Sequence, residues 1–589
     1  MSEVTKPVAL DETLQKVADN LERLCDIESW DIVGTFDGTI ETYRKVMKKW
    51  FYDHGSNIAS TEGLTKLCED WYKITRQGWA GGTKFPAITE SSGSTGTKFG
   101  GNLGLEVTPS TDTAENRDDY KGNPLFAITN CNWELDASGN ILISAIEGIT
   151  ANYEDDNPEK FVGVMQQTGF VKVVEGAETR DFYYADDIDA YENLRPLPEA
   201  VKLDGTVRSF VVHAKYMSGI VNSKMTCCKG IRVRRGISHD SLVSLPDNIG
   251  TQYSGGTAVD QSFLIWMAYI KYASLTLDGI LQGCCAYNYQ YYAKVAETGV
   301  KRVILAQNEG ANLKVGSTIC LGAYTSTTDR NNNSTYSISG QDGYVITSIE
   351  DVTINGTTYK AVYVDAPSAF DTAANGSATA GTTIVSTFHW QSGSCDTVKG
   401  NDGSPESASS GVYAAKLQGI EYAVGGWEVM ADVIQNISGG YYSPVYARKA
   451  TEQATSITAD MVQSSLKCAQ PSSDGWRYIQ AEGYDGEIFY PISQGADGTK
   501  YTKDGFYMNG SGTTTGTREW LGFGTLNHGS GNAGLSALNG NNTLGNANWN
   551  YLARISEYLL TLFQHLLMLT GLYPHCGENR VLMPPVSKK

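Results

Sequence analysis

The chain has 589 residues, enough for three to five domains, and combines high Gly (63) and Tyr (34) with only 19% charged residues. That balance suits β-rich, turn-rich surfaces more than a helical enzyme. A net charge of −19 opposes nucleic-acid binding, and the one basic run, KGIRVRR at 229–235, is short and strand-like. The first ten residues hold no apolar signal core, and the nearest approach to a membrane span, 555–573, is interrupted by Glu557, Gln564 and His565. Neither secretion nor membrane insertion is therefore expected. The eleven cysteines include the adjacent pairs Cys227/Cys228 and Cys284/Cys285, spacings that form no metal knuckle and point to reduced, buried thiols.

In chain order, Leu10, Leu14, Val17, Leu21 and Leu24 step by four and three, the seam of a short coiled coil or of one amphipathic helix. Ile40, Tyr43, Val46, Met47 and Trp50 form a second stripe, and Leu64, Leu67, Trp71 and Ile74 a third. Residues 80–120, rich in Gly, Ser and Thr, are expected to be loop-heavy. Within them SSGSTGTKFG at 91–100 resembles the phosphate loop of adenylate-forming enzymes, but it lacks GxxxxGK[ST] spacing and a companion motif, so it reads as a turn-rich loop. Short β runs follow at 126–129, 141–149, 161–164, 170–174 and 207–216. The acidic turn of Glu154, Asp155 and Asp156 lacks the spaced ligands of a calcium loop. The run FLIWMAYIKYASLTL at 263–277 predicts a buried helix continuing toward Gln282. Residues 306–390 predict a compact β-barrel, 391–411 a low-complexity loop, and 425–437 a further helix.

The stretch 520–556, WLGFGTLNHGSGNAGLSALNGNNTLGNANWNYLARIS, holds eight asparagines in a frame of Gly, Ala, Leu and Trp. From Asn546 to Tyr551 the residues alternate. A period of two sets Asn546, Asn548 and Asn550 outward and Ala547 and Trp549 inward. A face of amides needs many partners, so it is expected at the surface.

This stretch resembles the variable region of C-type-lectin-fold proteins diversified by phage and bacterial retroelements. The resemblance assigns Trp520, Gly522, Gly524, Gly529, Ala533, Gly534, Leu535, Ala547, Trp549 and Arg554 to an invariant frame. It assigns Asn527, His528, Ser530, Asn532, Ser536, Asn539, Asn541, Asn542, Asn546, Asn548, Asn550 and Tyr551 to a diversifiable, receptor-binding set. The segment 238–282, with a turn at Tyr253, Ser254 and Gly255, is similar to the first half of that fold in phage virion proteins.

The expected fold class is thus α+β multidomain: N-terminal helices (1–80), a β-rich domain (81–200), a C-type-lectin-like domain in two parts (201–305 and 391–556) around an inserted β-barrel (306–390), and a helical tail (557–589). The seven histidines show no HxH or HExxH spacing, and no GxSxG elbow occurs. Nor do the C-terminal cysteines, Cys468 and Cys576, form the reactive pair of the formylglycine-generating enzymes that share the fold. No catalytic residue, metal or cofactor is expected. Two functions stay open. One is a phage receptor-binding protein, implied to be a homotrimer that meets a bacterial surface receptor; the other is a structural decoration or fibre protein contacting only other virion proteins.

Overall fold

The computed structural model describes residues 36–557 except 56–57, 59, 89–92, 112–115, 203, 325–342, 376–378, 398–410, 512–513 and 530. The heptad run at 10–24 and the tail from 558 onward lie outside these residues.

Two helices open the described chain. Helix α1 (Ile40–Asp53) starts where the Thr39 side chain accepts the Thr42 N–H, and it buries Ile40, Tyr43, Met47 and Phe51. Helix α2 (Thr61–Ile74) is capped by Ser60 and buries Leu64, Leu67, Cys68, Trp71 and Tyr72. Trp71 Nε1 donates to Tyr43 Oη at 3.1 Å, joining the pair. Ile74 departs from the expected stripe: it ends α2 and is 60% exposed.

Beyond these helices the architecture is mostly β. A five-stranded antiparallel sheet runs in the order Arg195–Pro196, Phe170–Glu175, Thr179–Ala185, Ala80–Pro86, Thr97–Gly100. Ala80–Pro86 pairs along its whole length with Thr179–Ala185, where a loop-heavy passage was expected. The physical reason is close packing. A Cβ at Gly82 would sit 2.1 Å from Phe182 O, so this glycine permits backbone contact inside a sheet. A four-stranded sheet, Phe210–Ala214, Phe161–Gln167, Thr129–Leu135, Ile141–Ile146, lies against α2, and Ile143 N–H donates to Thr65 Oγ1 at 2.8 Å.

Helix α3 (Ala258–Met267) is buried on nearly every side, with only Asp260 left partly exposed. The apolar run at 263–277 predicts its start too late. Thr257 caps the helix by accepting the Asp260 N–H at 3.0 Å, and a π-turn, Ala268–Tyr272, ends at Ala273 in the left-handed region (φ 48°).

The largest sheet has ten strands. Its main path is Val462–Gln463, Tyr441–Tyr446, Trp427–Ser438, Gly516–Gly522, Leu538–Asn539, Gly505–Met508, Gly475–Tyr484, Phe489–Gly495. Trp427–Ser438 corrects the helix expected at 425–437. Both faces of this central strand are buried, so no alternation marks it, and the β-branched Val429, Val433, Ile434 and Ile437 favour the extended form. Two of its buried acidic side chains find partners: Glu428 meets Arg554 at 2.8 Å, and Asp432 Oδ1 accepts the Ala258 N–H at 2.9 Å.

A six-stranded sheet occupies the place of the expected barrel but starts earlier, at Gln290–Tyr292, and follows with Thr383–Thr387, Thr318–Ala323, Tyr344–Ile354, Thr357–Val364 and Arg302–Ala306. Just past its first strand, Lys294 N–H donates to Ile304 O at 2.8 Å, which draws its two edge strands together around a core of its own.

The other strands share cores. One apolar cluster joins Phe85 and Phe182 of the five-stranded sheet to Trp266 of α3 and Phe489 and Trp520 of the large sheet. Another joins α1 and α2 to Trp427, Val429 and Leu521. Tyr253–Gly255, expected as a turn, is a strand paired antiparallel with Ile555–Glu557. The nine cysteines among the described residues are all buried and unbridged.

Candidate binding face

The asparagine-rich stretch is fixed from below by its frame. Trp520 is 2% exposed and donates through Nε1 to Gln261 Oε1 at 2.9 Å. Gly522 lies where a Cβ would stand 3.0 Å from Met430, and Gly524 takes φ +97° with Ala533 packed against it. At Gly534 a Cβ would meet Asp504 Oδ1 at 2.0 Å, so only a glycine fits. Trp549 is buried beside Phe388, with ring centroids 5.8 Å apart. Arg554, 3% exposed, binds Glu428 and donates to Ala214 O at 3.0 Å, tying the loop's exit to two sheets.

The diversifiable set divides. Asn527 and Asn548 are exposed; His528, Asn532, Asn539, Asn541, Asn542 and Asn546 are half-buried. Ser536, Asn550 and Tyr551 are buried, contrary to the outward face expected of them, and Ser530 lies outside the described residues. Ser536 is an anchor: its N–H donates to Asp504 Oδ2 at 2.8 Å and its hydroxyl to Glu482 Oε2 at 3.2 Å. The alternation expected from Asn546 to Tyr551 fails because this segment is not a strand over its first five residues. Asn548 closes a turn, accepting the Trp549 N–H at its side chain (2.8 Å) and the Tyr551 N–H at its carbonyl (3.1 Å). The turn swings Ala547 outward and Asn550 inward.

Several amides bind one another. Asn539 Oδ1 accepts the Asn541 N–H at 3.0 Å, and Asn546 Nδ2 donates to Asn542 Oδ1 at 3.0 Å and to Tyr551 Oη at 3.2 Å. These bonds give an irregular loop a fixed shape, as side-chain amides do in turns.

Beside the amides stands an aromatic group that the sequence reading missed. Trp476 pairs in register with Tyr507, and Tyr507 with Asn539, so the three share a row across neighbouring strands. All three are half-buried, as is Tyr478 two residues on from Trp476. Trp476 meets Tyr507 edge-on at 5.2 Å and His528 at 5.0 Å, while buried Trp427 backs His528 at 4.9 Å. Asn532 crosses Gly505 so closely that a Cβ there would be 3.0 Å from the Asn532 Cα. The available signal was the Trp476-Arg477-Tyr478 alternation; the missing link was its pairing with a strand some thirty residues later.

Burial pushes the His528 imidazole down to about 4, and its Nδ1 accepts the Thr525 N–H at 3.3 Å. It is therefore neutral at physiological pH, with its proton on Nε2. The face offers ring surfaces, amide donors and acceptors, and one neutral imidazole, a combination suited to glycans or protein side chains.

Comparison of the sequence with protein-family models gave no match, and comparison with curated proteins gave none either.

Proposed function

We propose that this chain is a receptor-binding protein of a phage particle, presenting the 520–556 stretch on a C-type-lectin-like scaffold to the bacterial surface. The observation that carries the reading is the arrangement just described. Half-exposed His528, Asn532 and Asn539 stand beside Trp476 and Tyr507, with exposed Asn527 adjoining His528 in the chain, on a frame that Trp520, Gly534, Trp549 and Arg554 hold in place. Variable polar side chains on a fixed scaffold are how paratopes work. The proposed assembly is a homotrimer on the virion, whose several copies compensate for weak single contacts. Among the described residues no helix is long and apolar enough to cross a membrane.

A second reading, a decoration or fibre protein, draws support from the Asn539–Asn541 and Asn542–Asn546–Tyr551 hydrogen bonds, which commit part of the amide set to holding the loop. Adsorption separates the two. Particles carrying Asn527→Ser, Asn532→Ser and Trp476→Ala together are expected to lose or redirect attachment to their host while assembling normally. Wild-type adsorption by such particles would favour decoration.

A further inference from the structure

The rings of the binding face share one run of sheet. Trp476 and Tyr507 are cross-strand neighbours, and Tyr478 follows two residues after Trp476 on the same side of its strand. Neighbouring strands stand about 4.8 Å apart and alternate residues about 6.8 Å apart, so the three rings tile a patch on the scale of a hexose ring. Glycines let the rings lie low. A Cβ at Gly505 would come within 2.8 Å of the Trp476 ring, and one at Gly498 within 2.6 Å of the Tyr478 ring. Buried Trp427 stacks behind Trp476, with centroids 6.4 Å apart and planes inclined by 21°. The patch is thus fixed from beneath, and each of its three aromatic residues is half-buried.

This group of side chains carries no charge, in a chain whose net charge is −19. Trp476, Tyr478, Tyr507, Asn527, Asn532 and Asn539 are neutral by their chemistry, and His528 is neutral at physiological pH because burial depresses it. The charged residues next to them in the chain are turned elsewhere. Arg477 donates to Trp476 O at 2.7 Å and to Ser473 O at 3.2 Å. Asp474 Oδ1 accepts the Gly510 N–H at 2.7 Å, and Lys500 pairs with Asp497 at 3.3 Å. Lys503, two residues before Gly505, is half-buried. Protein partners gain specificity and speed of approach from complementary charges, which the rings and amides do not supply. What they supply is groups that both donate and accept: each Asn has a carbonyl and an NH2, and His528 adds an Nε2–H. A sugar hydroxyl likewise donates and accepts. The C–H bonds of a pyranose carry slight positive charge, which the negative face of an aromatic ring attracts.

We infer that the ligand of this face is an uncharged polysaccharide of the bacterial surface, with a sugar ring laid against Trp476 and Tyr507 and its hydroxyls bonded to the neighbouring amides and His528. The inference rests on the receptor reading above and narrows it to one class of receptor.

Binding of the labelled full chain to host cells tests it, with the cells treated in two ways. Periodate cleaves the vicinal diols of sugars; proteinase K strips surface protein. Periodate is expected to lower binding by about tenfold or more, and proteinase K to leave it within about twofold. Raising the salt to about 1 M, which shortens the screening length to about 3 Å, should also leave it within about twofold. Trp476→Ala is expected to weaken binding about tenfold, and Trp476→Phe, which keeps a smaller ring, to retain part of it. Melting curves accompany both variants. Tyr478→Leu keeps an apolar body without a ring and should also weaken binding, so the test holds even if Trp476→Ala does not fold. Lys503→Gln should bind like wild type, because the ligand brings no charge. If proteinase K abolishes binding and periodate spares it, or if salt or Lys503→Gln weakens it by about tenfold, the inference is overturned while the receptor reading stands. Folded Trp476 and Tyr478 variants that both bind like wild type also overturn it. If untreated cells do not bind the chain at all, the receptor reading itself fails, and the inference with it.

Discussion

At the scale of single residues, inward and outward positions of the asparagine-rich stretch are now distinct, and they should respond differently to substitution. Trp549 is 8% exposed and packed on Phe388, so Trp549→Ala is expected to cost about 3–5 kcal/mol and lower the melting temperature clearly. Asn527→Ser, at an exposed position, should shift stability by no more than about 0.5 kcal/mol. Thermal melts of the two proteins check both; equal curves would mean that Trp549 is not seated as described. Much of this was legible beforehand. The frame residues Trp520, Gly534, Trp549 and Arg554 are all buried, as a Gly and Trp skeleton between polar residues suggests. Ser536, Asn550 and Tyr551 were not legible, because a turn at Asn548 and a pair of buried carboxyls at 482 and 504 decide their direction. Neither is encoded in a local period.

Among elements, those with one buried face were readable and those with two were not. Helices α1 and α2 carry stripes at helical spacing, and the sequence places both. Trp427–Ser438 is buried on both faces and shows no alternation, so its apolar residues fit a helix as well as a strand. Helix α3 shows the same ambiguity in its boundaries: its apolar run continues past its end, and its true start is set by a cap. Thr257 accepts the Asp260 N–H and donates to the Asp260 carboxylate at 2.7 Å. Thr257→Ala should therefore destabilise the protein by about 0.5–2 kcal/mol, while Thr257→Ser should restore most of the loss. Denaturant titration of the three proteins measures this; an Ala variant as stable as wild type would mean that the cap does not set the start of α3.

For the molecule as a whole, buried carboxyls set the response to pH. Burial raises Glu519 to about 9, Glu557 to about 8, and Glu199 and Glu482 to about 7. Each favours the folded state while neutral. That contribution is complete below the ordinary carboxyl pKa and is lost as pH rises toward and through these values. His528, depressed to about 4, acts in the opposite sense: its contribution is present above about 6.5 and fades as pH falls toward 4. These raised carboxyls, joined by Asp432 and Asp504, which burial also raises, outnumber the two groups that act the other way, the His528 imidazole and the Lys98 ammonium that burial lowers to about 8, so the melting temperature should be higher near pH 5–6 than at pH 8–9. A scanning-fluorimetry series over that range would show it, and a melting temperature that rises toward pH 9 would contradict it.

Phe388 directly follows the last strand of the six-stranded sheet, and Trp549 lies in the asparagine-rich stretch, yet the two rings share one pocket with Ile384 and Leu526. This seam sets which parts of the molecule can evolve separately. An exposed side chain such as Asn527 takes no part in it and is free to drift alone, whereas Asn548, whose side chain accepts the Trp549 N–H, is not. The seat of Trp549 is built jointly by segments some 160 residues apart, so a change of ring size on one side selects for a compensating change on the other. Transplanting the asparagine-rich stretch into a related chain would then succeed only when the recipient's residue at 388 matches the donor's, however freely the exposed amides are exchanged.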